Sequence, residues 1–284
     1  MIKLFVADVD GTLLNERSEL EEATIKAIKR FQKQGGIFMV ATGRNHWELE
    51  DIVSRIDNVA INCANGAILF DEEGQLISSD FIDPNYADLI EEYCNERDTI
   101  VEYHGENYTY TCRDKKSFKQ RAIANFARGH EDPEHIFDVI YEDEHMLFGV
   151  DHDDLPKNRI SKLEVLFMAE EVAEGLWEKV KSSFQDCNIV RVEMMASIEI
   201  TSAKADKGQA ISDYCRIKGI KEDEVAVAGD SGNDISMLKR FKHSYAMGNA
   251  DEVTKKAASQ VASSNREEGI AKLINMICDE NEDQ

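Results

Sequence analysis

Two aspartate-rich turns carry the side chains with chemistry in this sequence. The first, Asp8-Val9-Asp10-Gly11-Thr12, ends the apolar run Ile2 to Ala7. The second, Gly229-Asp230-Ser231-Gly232-Asn233-Asp234, ends Val225-Ala226-Val227-Ala228. Each reads as a buried strand that stops at carboxylates and glycine. If the two strands are neighbours in an open parallel sheet, their carboxylates converge beyond the strands' carboxyl ends, where such sheets gather ligands. Carboxylates that close repel unless a cation or a proton sits among them. An all-oxygen cluster favours a hard ion, and Mg2+ typically takes one or two carboxylates plus a phosphate. The residue types point to metal-assisted phosphoryl chemistry.

The elements that must position these turns follow from the hydrophobic pattern. Ser18-Glu19-Leu20-Glu21 has the form of a capping box, followed by Leu20, Ala23, Ala27 and Phe31 at helical spacing and a stop at Gly35-Gly36. Ile37 to Ala41 reads as a second strand ending at Thr42-Gly43-Arg44, then a helix from His46 to Ile56. Val59 to Cys63 reads as a third strand, and Ala67 to Phe70 with Gln75 to Ser78 as a hairpin. This alternation predicts a doubly wound parallel sheet, an α/β Rossmann-like core. After about Phe81 the rhythm becomes α+β. Helices are expected from Asp83-Pro84, near Ser117 to Ala127 and over Ala169 to Phe184. Strands are expected at Ile100 to His104, Tyr108 to Cys112, Ile160 to Met168 and Ile189 to Met195. The core rhythm resumes with the strand Ile198 to Thr201, the helix Asp206 to Lys218 and a last helix from Glu268 to Cys278. The expected division is a core of residues 1–80 and 198–284, split by an inserted α+β domain over 81–197. The acidic stretch Asp279 to Gln284 is expected to fray.

Composition narrows the partners. The chain has 284 residues, with 33 Lys and Arg against 56 Asp and Glu, a formal charge of −23. So acidic a surface argues against nucleic acid or an anionic membrane as partner. It leaves room for a small phosphorylated metabolite, which a metal and one or two cations neutralise locally. The six cysteines are scattered, without a C-x-x-C pair, and read as reduced buried thiols. With Asp8 and Asp10 interrupting the first apolar run, no signal segment is expected and the localisation reads as cytoplasmic. A monomer is the default expectation, with a dimer as the alternative.

Taken singly, Asp10-Gly11 is a turn and Asp230 a helix cap. Taken with Thr42-Gly43-Arg44 and Lys207, all at strand ends or helix starts, they form one constellation. Here the sequence resembles the haloacid dehalogenase superfamily of phosphatases, most closely its Cof-type members with a large inserted cap. Asp8 to Leu14 matches the first motif, Thr42-Gly43-Arg44 the second, Lys207-Gly208 the third and Gly229 to Asp234 the fourth. Asn65-Gly66-Ala67 and Met247-Gly248-Asn249-Ala250 are supporting matches. Ser202 to Asp206 departs from the usual pattern before the lysine and leaves that loop's shape open.

The resemblance implies a Mg2+-dependent phosphatase working through an aspartyl-phosphate. Asp8 would be the nucleophile and Asp10 the general acid and base. Mg2+ would sit on the Asp8 carboxylate, the Asp10 carbonyl and Asp230, with Asp234 and Ser231 orienting that shell or adding a ligand through water. Lys207 would neutralise phosphate and nucleophile. The Thr42 hydroxyl, the Val9 and Gly43 amides and Asn233 would hold phosphoryl oxygens. Arg44 would face the cap or brace its own loop. The cap would close over the site, with Tyr103, His104, Tyr108 and Tyr110 lining it or, as the first expectation, packing within it. Two rival classes are a phosphoacceptor signalling domain and a silent phosphate-binding protein. A receiver domain lacks the acid two residues after its phosphorylated aspartate.

Overall fold

The computed structural model describes all residues except 96, 98, 128–131, 142, 168–169, 185, 193–196 and 283–284. The chain opens with β1 (Leu4–Ala7), α1 (Glu22–Lys33), β2 (Ile37–Ala41), α2 (Glu50–Val53), β3 (Val59–Cys63), β4 (Ile68–Phe70) and β5 (Leu76–Ser79). It continues through α3 (Pro84–Cys94), β6 (Thr99–His104), β7 (Thr109–Thr111), α4 (Lys115–Phe126), α5 (Pro133–Tyr141) and β8 (Met146–Phe148). Next come β9 (Lys162–Phe167), α6 (Glu170–Ser183), β10 (Cys187–Val192), β11 (Ser197–Ser202) and α7 (Lys207–Lys218). The last elements are β12 (Val225–Gly229), α8 (Ile235–Arg240), β13 (His243–Ala246), α9 (Glu252–Ala257), β14 (Gln260–Val261) and α10 (Gly269–Glu282). Two compact units result, Met1–Ser79 with Ala205–Gln284, and Asp80–Lys204. Among the described residues no helix is long and apolar enough to cross a membrane.

The first unit is an eight-stranded sheet in the order β14-β13-β12-β1-β2-β3-β4-β5. All pairings from β14 to β3 are parallel, and β3-β4-β5 close the edge as an antiparallel hairpin. The chain leaves β1 toward β2 on one side, while β12 lies on the other, which makes the carboxyl ends of β1 and β12 a topological switch point. Strands buried on both faces read as unbroken apolar runs, and β1, β2 and β12 do. Phe5, Ala7, Phe38, Val40, Ala226 and Ala228 pack on one side with Ile28 and Phe31 of α1 and Ile274 and Ile277 of α10. Leu4, Val6, Met39, Ala41, Val225 and Val227 pack on the other with Ile211, Tyr214 and Leu238 from α7 and α8. Ile2 and Asn281 exchange two hydrogen bonds, at 2.8 and 3.0 Å, and Arg30 pairs with Asp279 and Glu282. The segment leading into β1, and helix α1, are thereby tied to α10.

The second unit has the sheet order β10-β11-β9-β6-β7-β8, antiparallel except for β7 with β8. Val101, Tyr103, Leu163, Val165, Ile198 and Ile200 face α3 and α6. Ile100 and Leu166, on the opposite face, pack with Phe118, Phe126, Phe137 and Tyr141 of α4 and α5.

Several expectations are corrected. The strand at Ile198 to Thr201 belongs to the second sheet, paired with β9 and β10, so the core resumes near Ala205 and residues 198–204 lie in the inserted unit. The physical reason is its alternation of Ser197, Glu199 and Thr201 with Ile198 and Ile200, the pattern of a strand with one apolar face. The capping box at Ser18 does not form. Ser18 has φ +58°, the Asn15 side chain takes the amides of Arg17 and Glu19, and α1 starts at Glu22. Residues 279–282 continue α10 instead of fraying, because Arg30 and Gln34 hold Asp279 and Glu282. The region from His46 to Ile56 is a single 3-10 turn, Trp47–Leu49, running into the short α2. Helix α5 and strand β8 were not expected. The expected strand ends at Met168 and Met195 lie outside the described residues.

Phe5 stacks on Phe38 at 6.2 Å and meets Phe31 edge-on at 6.3 Å, one residue pair before the Asp8 turn. Phe5→Ala should cost about 3–5 kcal/mol through lost burial and a cavity. Urea unfolding followed by far-ultraviolet circular dichroism should show a lower midpoint for the first unit's transition, and an unchanged midpoint would refute this packing.

Candidate active site

Register brings the two aspartate turns together. Ala7 pairs with Ala228, so Asp8 and Gly229 leave adjacent strands side by side, and the Asp8 amide donates to the Ala228 carbonyl at 3.0 Å. From there the first turn is wide. Leu13 donates to the Asp8 carbonyl and Leu14 to the Val9 carbonyl, each a bond spanning five residues. Gly11 sits in this turn at φ +79°, and a Cβ there would lie 2.3 Å from Asp230 Oδ2. Only glycine combines that backbone conformation with that approach.

Asp8, Asp230 and Asp234 each place a carboxylate oxygen within 4.8 Å of the others. Lys207, the first residue of α7, points its ammonium between two of them, 2.8 Å from Asp8 Oδ1 and 2.7 Å from Asp234 Oδ1. All three are buried: Lys207 is 1% exposed, Asp8 4% and Asp234 0%. Asp206 caps α7 by accepting from Gln209 at 2.7 Å, and Asn62 of β3 donates to the Lys207 carbonyl at 3.1 Å. The loop that departs from the family pattern therefore delivers the lysine on a capped helix start. Asp234 also uses its second oxygen, which accepts from the amides of Asp230 at 2.9 Å and Ser231 at 3.1 Å.

Burial alone works against the Lys207 charge, but Asp234 and Asp8 outweigh it and hold the ammonium protonated above its usual range. Burial and then Asp234 push the Asp8 carboxyl well up, with Lys207 opposing. Asp230 is lifted to about 6, first by burial and then by Asp234. Among these four groups three carboxylates face one ammonium, leaving two negative charges uncompensated. A divalent cation would relieve that excess, and hard oxygen donors of this kind suit Mg2+. Asp8 is bonded through Oδ1, and Asp230 accepts from Thr12 and Asn249 at 3.2 Å each, longer than the bonds that commit both Asp234 oxygens to orientation. Ser231 donates to Asn233 Oδ1 at 2.7 Å and lies within 3.5 Å of Asp234, which also fits an orienting part.

The second strand end adds the other expected residues. Thr42 is buried, its amide donates to the Asn62 carbonyl, and its hydroxyl accepts from the Arg44 amide at 3.1 Å. The Arg44 guanidinium grips the Asp10 carboxylate, a partner in its own unit, with two nitrogens, Nε at 2.8 Å. Asp10 itself is 55% exposed in its side chain. Gly43 lies against Asn65, whose Oδ1 accepts from Asn233 at 3.0 Å. Gly66, at φ +99°, approaches the Asp206 backbone so closely that a Cβ would sit 2.5 Å from it. In the second unit, Tyr103 and His104 are buried and Tyr108 is exposed, so Tyr103 packs as first expected.

Sequence reasoning left out three residues that fasten the site. Thr12 donates to Asp230 Oδ1 at 3.2 Å. Asn249, beyond β13, donates to the Gly11 carbonyl at 2.8 Å and to Asp230 Oδ2 at 3.2 Å, tying the two aspartate turns to each other. Asn62 holds the lysine's own carbonyl. Asn249 lay in a quoted supporting motif, and its place after the next strand of the sheet was the available signal.

Lys207→Met keeps an unbranched side chain one atom shorter and removes its charge. It strands two buried carboxylates and should destabilise the first unit by about 3–5 kcal/mol, the usual loss on breaking a buried pair. Denaturant unfolding at neutral pH measures this, and wild-type stability would contradict the ion-pair geometry.

The chain is similar along nearly its whole length to known phosphatases. Phosphatase YwpJ of Bacillus subtilis (strain 168) is 27% identical over 286 residues, covering 96% of this chain and 99% of that one. The 5-amino-6-(5-phospho-D-ribitylamino)uracil phosphatase YwtE of the same organism is 26% identical over 289 residues, with 97% and 98% covered. A solved haloacid dehalogenase-like hydrolase from B. subtilis matches with a TM-score of 0.81 at 26% identity, over 96% of this chain and 99% of that one. The family profile of haloacid dehalogenase-like hydrolases matches residues 5–274, taking in both aspartate turns, the Thr42 strand end and Lys207. The chain belongs to the haloacid dehalogenase-like hydrolases.

Proposed function

We propose that the protein is a Mg2+-dependent phosphomonoesterase that hydrolyses a small phosphorylated metabolite through an aspartyl-phosphate on Asp8. The observation that carries this reading is the group Asp8, Asp230 and Asp234 around the Lys207 ammonium, at the ends of the two adjacent strands β1 and β12. Asp8, Asp230 and the Asp10 carbonyl would hold Mg2+, which would supply positive charge to offset that of the nucleophile and the phosphate. Lys207 bonds one oxygen of Asp8 and so fixes the carboxylate's rotation. In the first step an Asp8 oxygen bonds to phosphorus as the bond to the leaving oxygen breaks, and Asp10 gives that oxygen its proton. In the second step Asp10 takes a proton from the water that attacks phosphorus, releasing phosphate and restoring Asp8. Thr42, whose hydroxyl accepts from the Arg44 amide, keeps its own proton to donate to a phosphoryl oxygen. The Val9 and Gly43 amides and Asn233 are the other donors proposed for that group. Arg44 occupies both Asp10 oxygens by a planar fork, and the acid step requires Asp10 to leave that fork with a proton on one oxygen.

A sugar phosphate or a similar polyol phosphate is the preferred substrate class, and YwtE, named for a phosphoribityl substrate, agrees with it. The protein should release inorganic phosphate from members of a phosphorylated-metabolite panel with Mg2+, and stop on chelation with EDTA. Asp8→Asn should abolish turnover with circular dichroism unchanged, and Asp10→Asn should cost about a hundredfold or more on poor leaving groups. A single stoichiometric phosphorylation without turnover would favour a phosphoacceptor domain, and full activity in Asp8→Asn would remove the mechanism.

A further inference from the structure

The inserted unit holds a second set of metal-ligating side chains, chemically unlike the aspartate cluster. Glu91 near the end of α3, Cys112 just after β7 and His152 in the turn following β8 bring a carboxylate oxygen, a sulfur and an imidazole nitrogen within 4.8 Å of one another. Mixed nitrogen, sulfur and oxygen donors suit Zn2+ and related borderline ions rather than Mg2+. In a tetrahedral zinc site neighbouring donors stand about 3.5 Å apart, given the usual bond lengths. Side-chain shifts of about 1 Å would close this set around an ion.

The surroundings of the three residues are those of a held site. His152 Nε2 meets Asp88 Oδ1 at 3.0 Å, and Lys157 fixes that same carboxylate oxygen at 2.7 Å. The Asp88 carboxylate draws the imidazole proton to Nε2 and leaves the lone pair on Nδ1. That Nδ1 atom is buried and has no hydrogen-bond partner among the described residues. A carboxylate on one imidazole nitrogen with the other nitrogen left open is the arrangement that orients metal-bound histidines. Tyr103 donates its hydroxyl to Glu91 Oε2, which leaves Oε1 for a ligand, and its ring meets the His152 ring edge-on at 6.2 Å. A cavity of about 260 Å³, lined by Glu91, Val101, Thr111, Cys112 and Arg113 among others, adjoins two of the three residues.

We propose that Glu91, Cys112 and His152 form a zinc-type transition-metal site in the inserted unit, oriented by Asp88 and Tyr103, with a fourth position open to water or another small ligand. Full-length protein, stripped of metal and then saturated with Mg2+, would be titrated with Co2+ and followed by absorbance. One Co2+ per chain should bind with the intense near-ultraviolet band of a thiolate-cobalt bond and the visible bands of a tetrahedral ion, and Zn2+ should displace it. Cobalt held by the aspartate cluster would show neither feature. Cys112→Ser should lose the thiolate band, and His152→Ala should lose stoichiometric binding. Asp88→Asn, at a largely exposed side chain, should keep the fold and weaken Co2+ about 10–100-fold. Absence of the thiolate band in wild type, or its persistence in Cys112→Ser, would overturn the proposal, as would unaltered affinity in Asp88→Asn.

Discussion

An ammonium taken out of water between two carboxylates costs several kcal/mol per ion in lost hydration, and close geometry must return it. Lys207 meets that demand with two contacts below 3 Å, and most of the first unit can be read as the means of holding them. The β1/β12 register sets Asp8 beside the Gly229 turn, the amides of Asp230 and Ser231 lock Asp234, and the Asp206 cap with Asn62 fixes where α7 begins. None of the four groups could be moved alone. The same arrangement leaves an excess of negative charge, so a site that is stable enough to fold is still short of a cation. Structural and chemical requirements thus meet in one pair of contacts.

The strong net negative charge of the chain and its reading as a phosphate-processing protein are compatible because the relevant field is local. Arg44 cancels Asp10, and Lys207 cancels one of the buried carboxylates. What an anion meets at the ends of β1 and β12 is set by these pairs and by the divalent ion proposed to bind there, while the surface charge acts through screened water. The two units also separate their chemistries. The first assembles hard oxygen donors at parallel strand ends, and the second gathers imidazole, thiol and carboxylate groups around a helix end and two turns.

The parallel core was legible because strands covered on both faces have no polar beat, so β1, β2 and β12 stand out as short apolar runs ending at glycine and aspartate. The turn residues were legible because Asp, Gly, Thr and Lys recur at strand ends where ordinary turns would not require all of them. Other features depended on approach in space. Asp10 and Arg44 are 34 residues apart, and the fork between them exists only because β1 and β2 are paired. Asn249, after β13, reaches Gly11, after β1, past the intervening strand β12, a contact that no local pattern encodes. The Ser18 box matched in residue type, yet Asn15 captured the local amides first. The alternation at Ile198 to Thr201 was visible, and was misassigned because its position before Lys207 suggested the core.

The stitching of Ile2 to Asn281 and of Arg30 to α10 bears on how the protein is made. Strand β1 lies in the middle of its sheet, but its neighbour β12 is synthesised more than two hundred residues later. On a ribosome the contiguous unit Asp80–Lys204 is complete while β1 still lacks that partner and α10 does not yet exist. Asp8 therefore gains its buried ammonium and its partner strand only after α7 and β12 have been made. Until then the apolar run ahead of it has an open edge, the kind of surface that chaperones hold. The assembly of the aspartate cluster thus follows the synthesis of the inserted unit rather than preceding it.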